Sequence, residues 1–115
     1  MKQNQRQVPQ EPHVRMTYAF SNNYPKILLA GYPLYLETFR IQLAMLKDGQ
    51  RFTIGRDRRC DFQMQPDVIS RLHCYIVKNG NDFVLCDVSK NGTVVVPEEK
   101  KQPSVLQRFF TALGC

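Results

Sequence analysis

Three short clusters of the sequence, at residues 55–56, 70–73 and 89–93, combine cations, a hydroxyl and a side-chain amide. Arginine presents a fork of N–H donors to phosphate oxygens, a serine hydroxyl adds a short donor, and further cations neutralise the second charge of a phosphate dianion. An asparagine can both donate to and accept from a peptide main chain. The pattern therefore predicts binding of a phosphate ester carried on an extended peptide. The candidate binding residues are Arg56, Ser70, Arg71, Lys90 and Asn91.

Each residue of these clusters has a plainer interpretation when it is taken alone. Arg56 would be a solvated surface cation, Ser70 a local turn former and Asn91-Gly92 a hairpin turn. His73 lies within a predicted strand, where a structural histidine with satisfied hydrogen bonds is the preferred interpretation. The joint occurrence of the three clusters favours phosphate binding over these separate explanations.

The clusters stand where predicted short strands become loops. The predicted strands span residues 39–45, 51–54, 62–64, 73–78, 83–88 and 93–96. Asn79-Gly80 is a strong hairpin signal between two of them. Short strands with turn signals at this spacing are typical of an antiparallel sandwich or barrel, whose loops converge at one end of the sheets. We therefore expect the three clusters to line a single rim.

In this order and spacing, Gly-Arg, Ser-Arg-x-His and Asp-x-Ser-x-Asn-Gly-Thr resemble the signature of the forkhead-associated (FHA) family, over about Phe39 to Val96. The resemblance implies an all-β fold, an FHA-type antiparallel β-sandwich whose loops bind phosphothreonine in a protein or peptide partner. It implies that Arg56 and Ser70 hold the phosphate and that Asn91 bonds the peptide main chain. Arg71 would be an auxiliary phosphate ligand, and Lys90 would face the phosphate from a turn. The structural motif positions are Gly55, His73, Gly92 and Thr93.

The chain is expected to have four parts. Residues 1–16 form a polar, flexible N-terminal arm, 17–37 an apolar extension packing on the domain, 38–96 the FHA core, and 97–115 a charged spacer and a short C-terminal helix. The family continues past its Asn-Gly-Thr turn with strands that close the sandwich, and the pattern after Val96 lacks them. Either the apolar segments cover the open edge, or another chain does, which would allow self-association.

Composition and hydropathy limit the size of the domain, the kind of partner and the expected location of the protein. The chain has 115 residues, the size of one domain, and a net charge of +6, which favours an anionic partner without choosing one. The longest apolar stretch is broken by Gly31 and Pro33 and is too short to cross a bilayer, and the first residues lack the apolar run of a secretory signal. We expect an intracellular protein, in the cytoplasm or the nucleus, without a membrane partner. Without an export signal, and with wide and irregular spacings, the four cysteines are expected to be reduced thiols. They form no C-x2-C type cluster, so no metal site is expected, and no cofactor is expected either.

Three other functions compete with that of a phosphothreonine reader. The first is a phosphate-independent scaffold or oligomerisation domain with an FHA-like fold. Nucleic-acid binding is disfavoured because interleaved exposed aromatic residues are missing from the pattern. An enzyme is disfavoured because the motifs supply no nucleophile with a base and no carboxylate pair. Arg58 and Arg59, in the loop after Arg56, are expected to be solvated or to contact residues that flank the phosphate.

Overall fold

The computed structural model describes residues 13–97, which form two β-sheets and one short helical segment. The strands are β1 (Met16–Phe20), β2 (Lys26–Leu29), β3 (Tyr32–Tyr35), β4 (Arg51–Gly55), β5 (Phe62–Gln63), β6 (Cys74–Asn79), β7 (Asp82–Asp87) and β8 (Thr93–Val96). A 3-10 turn (Leu36–Phe39) leads into the helix α1 (Arg40–Ala44). None of the helical segments within residues 13–97 has the length and hydropathy needed to cross a bilayer.

The predicted β-sandwich is confirmed. One sheet has five strands in the order β1-β7-β6-β4-β5, and the other has three in the order β3-β2-β8. The inward faces of both sheets supply a common core, because alternate residues of each strand are buried. The core residues from the two sheets include Ile27 and Leu29 on β2 and Ile54, Ile76 and Leu85 on β4, β6 and β7, all with no exposed surface.

One strand pair departs from the antiparallel prediction. β4 and β5 run parallel, with Ile54 opposite Phe62. The reason lies in Asp61, whose carboxylate accepts hydrogen bonds from the Thr53 backbone N–H at 2.8 Å and the Thr53 hydroxyl at 3.0 Å. The loop therefore returns to the level of Thr53 before β5 begins, and β5 leaves in the same direction as β4.

The strand predicted over residues 39–45 is wrong, because this segment forms the end of the 3-10 turn and the helix α1. Leu36, Phe39 and Leu43 are buried, and their spacing places them on one face of a helical segment. Ile41 and Met45, which the alternating pattern would have buried, are 69% and 75% exposed. Because apolar residues lie on both faces of this helical segment, they alternate with polar or small residues along the sequence and resemble the period of a strand.

The segment before the helix contributes strands to both sheets. β1 pairs with β7, and β2 pairs with both β3 and β8, with Lys26 opposite Val96 and Leu29 opposite Thr93. One side of β8 is therefore covered by a strand from the predicted apolar extension. β1 starts at Met16, the last residue of the predicted arm. The predicted C-terminal helix and residues 1–12 of the arm lie outside the described residues, and the division of the chain into four parts stays a prediction.

Candidate functional site

The five predicted binding residues line one open cleft of about 530 Å³. They come from the end of β4, from the loop before β6 and from the loop between β7 and β8. The remaining lining residues are Asp67, Val68, Ile69 and Leu72. The side chains along the cleft carry three cationic groups and one carboxylate. This balance makes the cleft attractive to an anion.

Arg56 follows β4 directly, and two hydrogen bonds fix it against the loop before β6. Its backbone N–H donates to the carbonyl of Ser70 at 2.9 Å, and its Nε donates to the carbonyl of Ile69 at 2.8 Å. The guanidinium plane is thereby oriented. No hydrogen bond to another residue of the 13–97 region occupies its terminal amino groups, so these donors are available to an anion.

The Ser70 and Asn91 side chains join the two loops that border the cleft. The Ser70 Oγ accepts a hydrogen bond from the Lys90 backbone N–H at 2.9 Å, which leaves the hydroxyl proton to donate elsewhere. The Asn91 Nδ2 donates to the carbonyl of Val68 at 2.8 Å, which leaves its Oδ1 as an acceptor. Both polar groups are therefore held in place with hydrogen-bonding capacity to spare.

Gly55 lets the loop before β6 approach the end of β4. A Cβ at this position would overlap the carbonyl oxygen of Arg71 and lie 2.8 Å from its carbonyl carbon and 3.0 Å from the His73 backbone nitrogen. The close approach brings the Asp57 backbone N–H to the Arg71 carbonyl and the His73 N–H to the Ile54 carbonyl. The two clusters meet because residue 55 has no side chain.

His73 is fully buried and connects both loops of the cleft. Its Nδ1 accepts from the Ser70 backbone N–H at 3.0 Å, so the ring proton lies on Nε2, which donates to the Gly92 carbonyl at 3.0 Å. Burial lowers the pKa of His73 below its ordinary value, although the hydrogen bond to Gly92 and the charge of Asp87 act in the opposite direction. A neutral imidazole with this tautomer fits a bracing role and leaves no nitrogen free for a ligand.

The turn between β7 and β8 is built around the buried carboxylate of Asp87. Its Oδ1 accepts from the Ser89 backbone N–H at 3.0 Å and from the Thr93 hydroxyl at 2.9 Å. The Ser89 hydroxyl in turn accepts from the Gly92 N–H at 2.8 Å. Gly92 has a φ of +96°, which favours glycine at this position. Asp87 was not among the predicted site residues, although it is the aspartate of the Asp-x-Ser motif.

Arg15 is a second residue that sequence reasoning missed, since it falls within the predicted flexible arm. Its Nη1 donates to the carbonyl of Ser89 at 2.6 Å and to that of Lys90 at 3.0 Å, and its backbone N–H donates to the Asp87 carbonyl at 2.8 Å. Arg15 thus holds the outer side of the turn that carries Asn91. No local pattern marks it, because its partners lie more than 70 residues along the chain.

The thiols of Cys60 and Cys74, which are close in the chain to cleft residues, are both affected by burial. The Cys60 thiol donates to the Arg71 carbonyl, and burial raises its pKa, so it stays protonated near neutral pH. Burial also raises the pKa of the Cys74 thiol. Within residues 13–97, no group of three or more His, Cys, Asp or Glu side chains could hold a metal ion.

Comparison with known proteins gave one match. A family model described as FHA domain matches residues 52–108 of the chain. The matched range contains all the predicted binding residues and the motif positions Gly55, His73, Gly92 and Thr93. The comparisons with curated proteins and with solved structures found no match.

Proposed function

Because the chain belongs to the forkhead-associated (FHA) family, whose domains bind phosphopeptides in protein–protein interactions, we propose that it is a phosphothreonine-dependent protein-binding module. The observation that carries the proposal is the convergence on one open cleft of a guanidinium, a hydroxyl and an amide, each oriented by a hydrogen bond. Arrangements of this kind recognise phosphorylated peptides through arginine clusters.

The phosphate would lie between Arg56 and Ser70. The terminal amino groups of Arg56 donate to two phosphate oxygens. The Ser70 hydroxyl donates its proton to the phosphate, while its oxygen still accepts the hydrogen bond from the Lys90 N–H. Arg71 and Lys90 are both exposed at the edge of the cleft and supply further positive charge. Together they offset the second negative charge of the dianion.

The peptide main chain would be held by Asn91. Because its Nδ2 is used by the Val68 carbonyl, its Oδ1 accepts from an N–H of the bound peptide. This contact orients an extended segment across the cleft. The preference for threonine that the family implies requires an apolar contact for the threonine methyl, and Val68, 42% exposed in the lining, is available to make it.

The expected affinity is micromolar. Three charge-assisted hydrogen bonds at about 1.5–3 kcal/mol each give roughly 5–9 kcal/mol before the costs of association. Contacts to the main chain and to flanking residues offset those costs. A dissociation constant near 1 μM corresponds to about 8 kcal/mol, which lies within this range.

The test is binding of the purified protein to a degenerate phosphothreonine peptide library, with unphosphorylated and phosphoserine libraries in parallel. We expect selective capture of phosphothreonine peptides. Arg56→Ala should reduce their affinity at least about 30-fold, since it removes about 2 kcal/mol or more of charge-assisted hydrogen bonding. Arg40→Ala is the matched control, because it removes an arginine that pairs with Glu37 and lines a different cleft.

Two outcomes would overturn the proposal. Equal loss in Arg56→Ala and Arg40→Ala would show that only net charge matters. Failure of the folded protein to retain any phosphopeptide would favour the alternative, a phosphate-independent scaffold or oligomerisation domain with an FHA-like fold. In that case partner capture would survive Arg56→Ala.

A further inference from the structure

A second cleft adjoins the one described above. It measures about 500 Å³ and is lined by Arg56, Asp57, Arg58, Arg59, Gln63 and Arg71. Two of these residues, Arg56 and Arg71, also line the first cleft. The two clefts therefore share a wall made of guanidinium groups. A ligand seated in the first cleft can continue into the second without leaving the protein surface.

The second cleft is more strongly cationic than the first. Its lining contains four arginines and a single carboxylate, Asp57. Arg59 pairs with that carboxylate twice, through Nη2 and Oδ2 at 2.8 Å and through Nε and Oδ1 at 3.0 Å. These hydrogen bonds hold the pKa of the Asp57 carboxyl well below its usual range, so the pair stays ionised and its charges cancel. Among the described residues, Arg56, Arg58 and Arg71 then have no carboxylate partner.

The loop that carries these arginines is fixed by its own hydrogen bonds. The Asp57 backbone N–H donates to the Arg71 carbonyl at 3.1 Å, and the Gln63 side chain donates to the Arg56 carbonyl at 2.9 Å. The Cys60 N–H donates to the Asp57 carbonyl at 3.0 Å. Because the backbone is tied to the loop before β6, the chain positions that carry the arginines are set before a ligand arrives, which reduces the backbone part of the ordering cost of binding.

We propose that the second cleft binds a second anionic side chain of the same ligand, so that the preferred partner segment carries a phosphate or carboxylate group beside its phosphothreonine. This inference rests on the proposed function and specifies its substrate class. Arg58 and Arg71 provide the donors, and Arg56 stabilises both anions from the shared wall. An extended peptide advances about 3.3 Å per residue, so the second anion is expected within about four residues of the phosphothreonine.

The experiment compares dissociation constants for three synthetic peptide series at one fixed salt concentration. The first peptide carries phosphothreonine alone. The second series adds one phosphoserine, moved one position at a time, and the third adds one aspartate at the same positions. The readout is the affinity gain, meaning the dissociation constant of the first peptide divided by that of the doubly anionic peptide. We expect a gain of about tenfold for phosphoserine at its best position and a smaller gain for aspartate, because phosphate carries more charge.

Two variants show whether the gain comes from the second cleft. Arg58→Gln should bring it down to about threefold or less, since this exposed side chain lines the second cleft and not the first. Arg40→Gln makes the same change of charge in a different cleft and should retain the full gain. An equal gain in Arg58→Gln and wild type would overturn the inference.

The result also separates this inference from the proposed function. Tight binding of the singly phosphorylated peptide with no gain at any position would overturn the second anion site and leave the phosphothreonine reader intact. No binding of the singly phosphorylated peptide by the folded protein would overturn the proposed function and this inference with it. A gain from phosphoserine alone would identify the second group as a phosphate, and a similar gain from aspartate would identify acidic flanking sequence.

Discussion

Several side chains that would not contact a ligand position the residues that would bind it. His73 joins the Ser70 N–H to the Gly92 carbonyl through its two ring nitrogens. Asp87 closes the turn before Asn91 from within the core. Buried polar groups that are fully hydrogen-bonded make such loops rigid. The geometry of the cleft therefore depends on His73 and Asp87 as much as on Arg56.

Gly55 also positions the cleft, and the space around it does not admit a larger side chain. Gly55→Ala should lower the free energy of unfolding by about 1–3 kcal/mol, because the new methyl group would push the loop at Arg71 away from β4. The displacement should also weaken phosphopeptide binding. Urea unfolding and peptide titration measure the two effects.

Gly80→Ala is the comparison for this substitution. Gly80 has a φ of +66° in the hairpin between β6 and β7, at the opposite end of these strands from the cleft. Alanine there should cost about 1 kcal/mol in stability and leave the affinity of the folded protein unchanged. Equal affinities in the Gly55 and Gly80 variants would contradict the role given to Gly55.

Protonation of His73 should make stability depend on pH. Because burial lowers the pKa of His73 in the folded protein, the unfolded chain takes up this proton first as the pH falls. The contribution of neutral His73 to the free energy of unfolding is therefore fully present above about pH 6.5, the ordinary histidine pKa. Below that pH the free energy of unfolding declines by up to about 1.4 kcal/mol per pH unit, until the pKa of His73 in the folded protein is reached. Urea unfolding between about pH 7.5 and pH 5 measures this slope.

Substitution of each histidine identifies the group responsible. His73→Gln should lose the slope, since glutamine does not titrate, although the protein becomes less stable at every pH. His13→Gln should keep it, because His13 is exposed and lies before β1. A slope that persists in His73→Gln would assign the pH dependence to other groups.

At the scale of elements, the segment entering β1 and the turn between β7 and β8 form one unit. The pairing of β1 with β7 brings Arg15 beside the carbonyls of Ser89 and Lys90. These carbonyls belong to the turn that positions Asn91. The N-terminal strand therefore has a role in the cleft as well as in the sheet.

Arg15→Gln should weaken phosphopeptide binding by about three- to tenfold, because hydrogen bonds from a charged donor to the turn are lost and the turn becomes harder to order. Arg15→Lys should recover part of this loss, since ammonium can still donate to one carbonyl. Peptide titration at fixed salt concentration gives the values. Equal affinities of Arg15→Gln and Arg40→Gln for the peptide would contradict the bracing role of Arg15 and would attribute the loss to the change in net charge.

For the whole molecule, the family match begins at residue 52, yet three strands of the sandwich precede it. β2 is the central strand of its sheet, and it pairs with β8 over four residues. Phe20, Ile27 and Leu29 from this segment are buried in the common core. The segment before residue 38 is thus part of both sheets rather than an addition to their surface.

A chain reduced to residues 38–115 should not fold. It would lose the buried side chains of Phe20, Ile27, Leu29 and Leu36. At about 1.5–3 kcal/mol each they contribute roughly 6–12 kcal/mol, which is comparable to the whole stability of a typical domain. We expect no cooperative unfolding transition and poor dispersion of backbone amide signals. A chain that begins at His13 should unfold cooperatively and give well-dispersed amide signals. Cooperative folding of residues 38–115 would show that the FHA core predicted from sequence is self-sufficient.

The elements that local patterns describe well were predicted correctly. β4 buries Phe52 and Ile54 on one face, as alternation required, and β6 and β7 meet at Asn79-Gly80. The pattern failed where helical and strand periods overlap, in the segment that became α1. It could not show that β5 is parallel to β4, since Asp61 returns the loop by a contact specific to this fold.

The sequence by itself determined the chemistry of the candidate cleft, because residue type and order fix which donors and acceptors exist at Arg56, Ser70 and Asn91. It also determined the class of fold through short alternating strands and their turns. Only the tertiary structure decided that the strands before residue 38 complete both sheets and that Arg15 braces the turn at Ser89. Those contacts join residues far apart in the chain, and their free energy depends on burial and packing that no local pattern records.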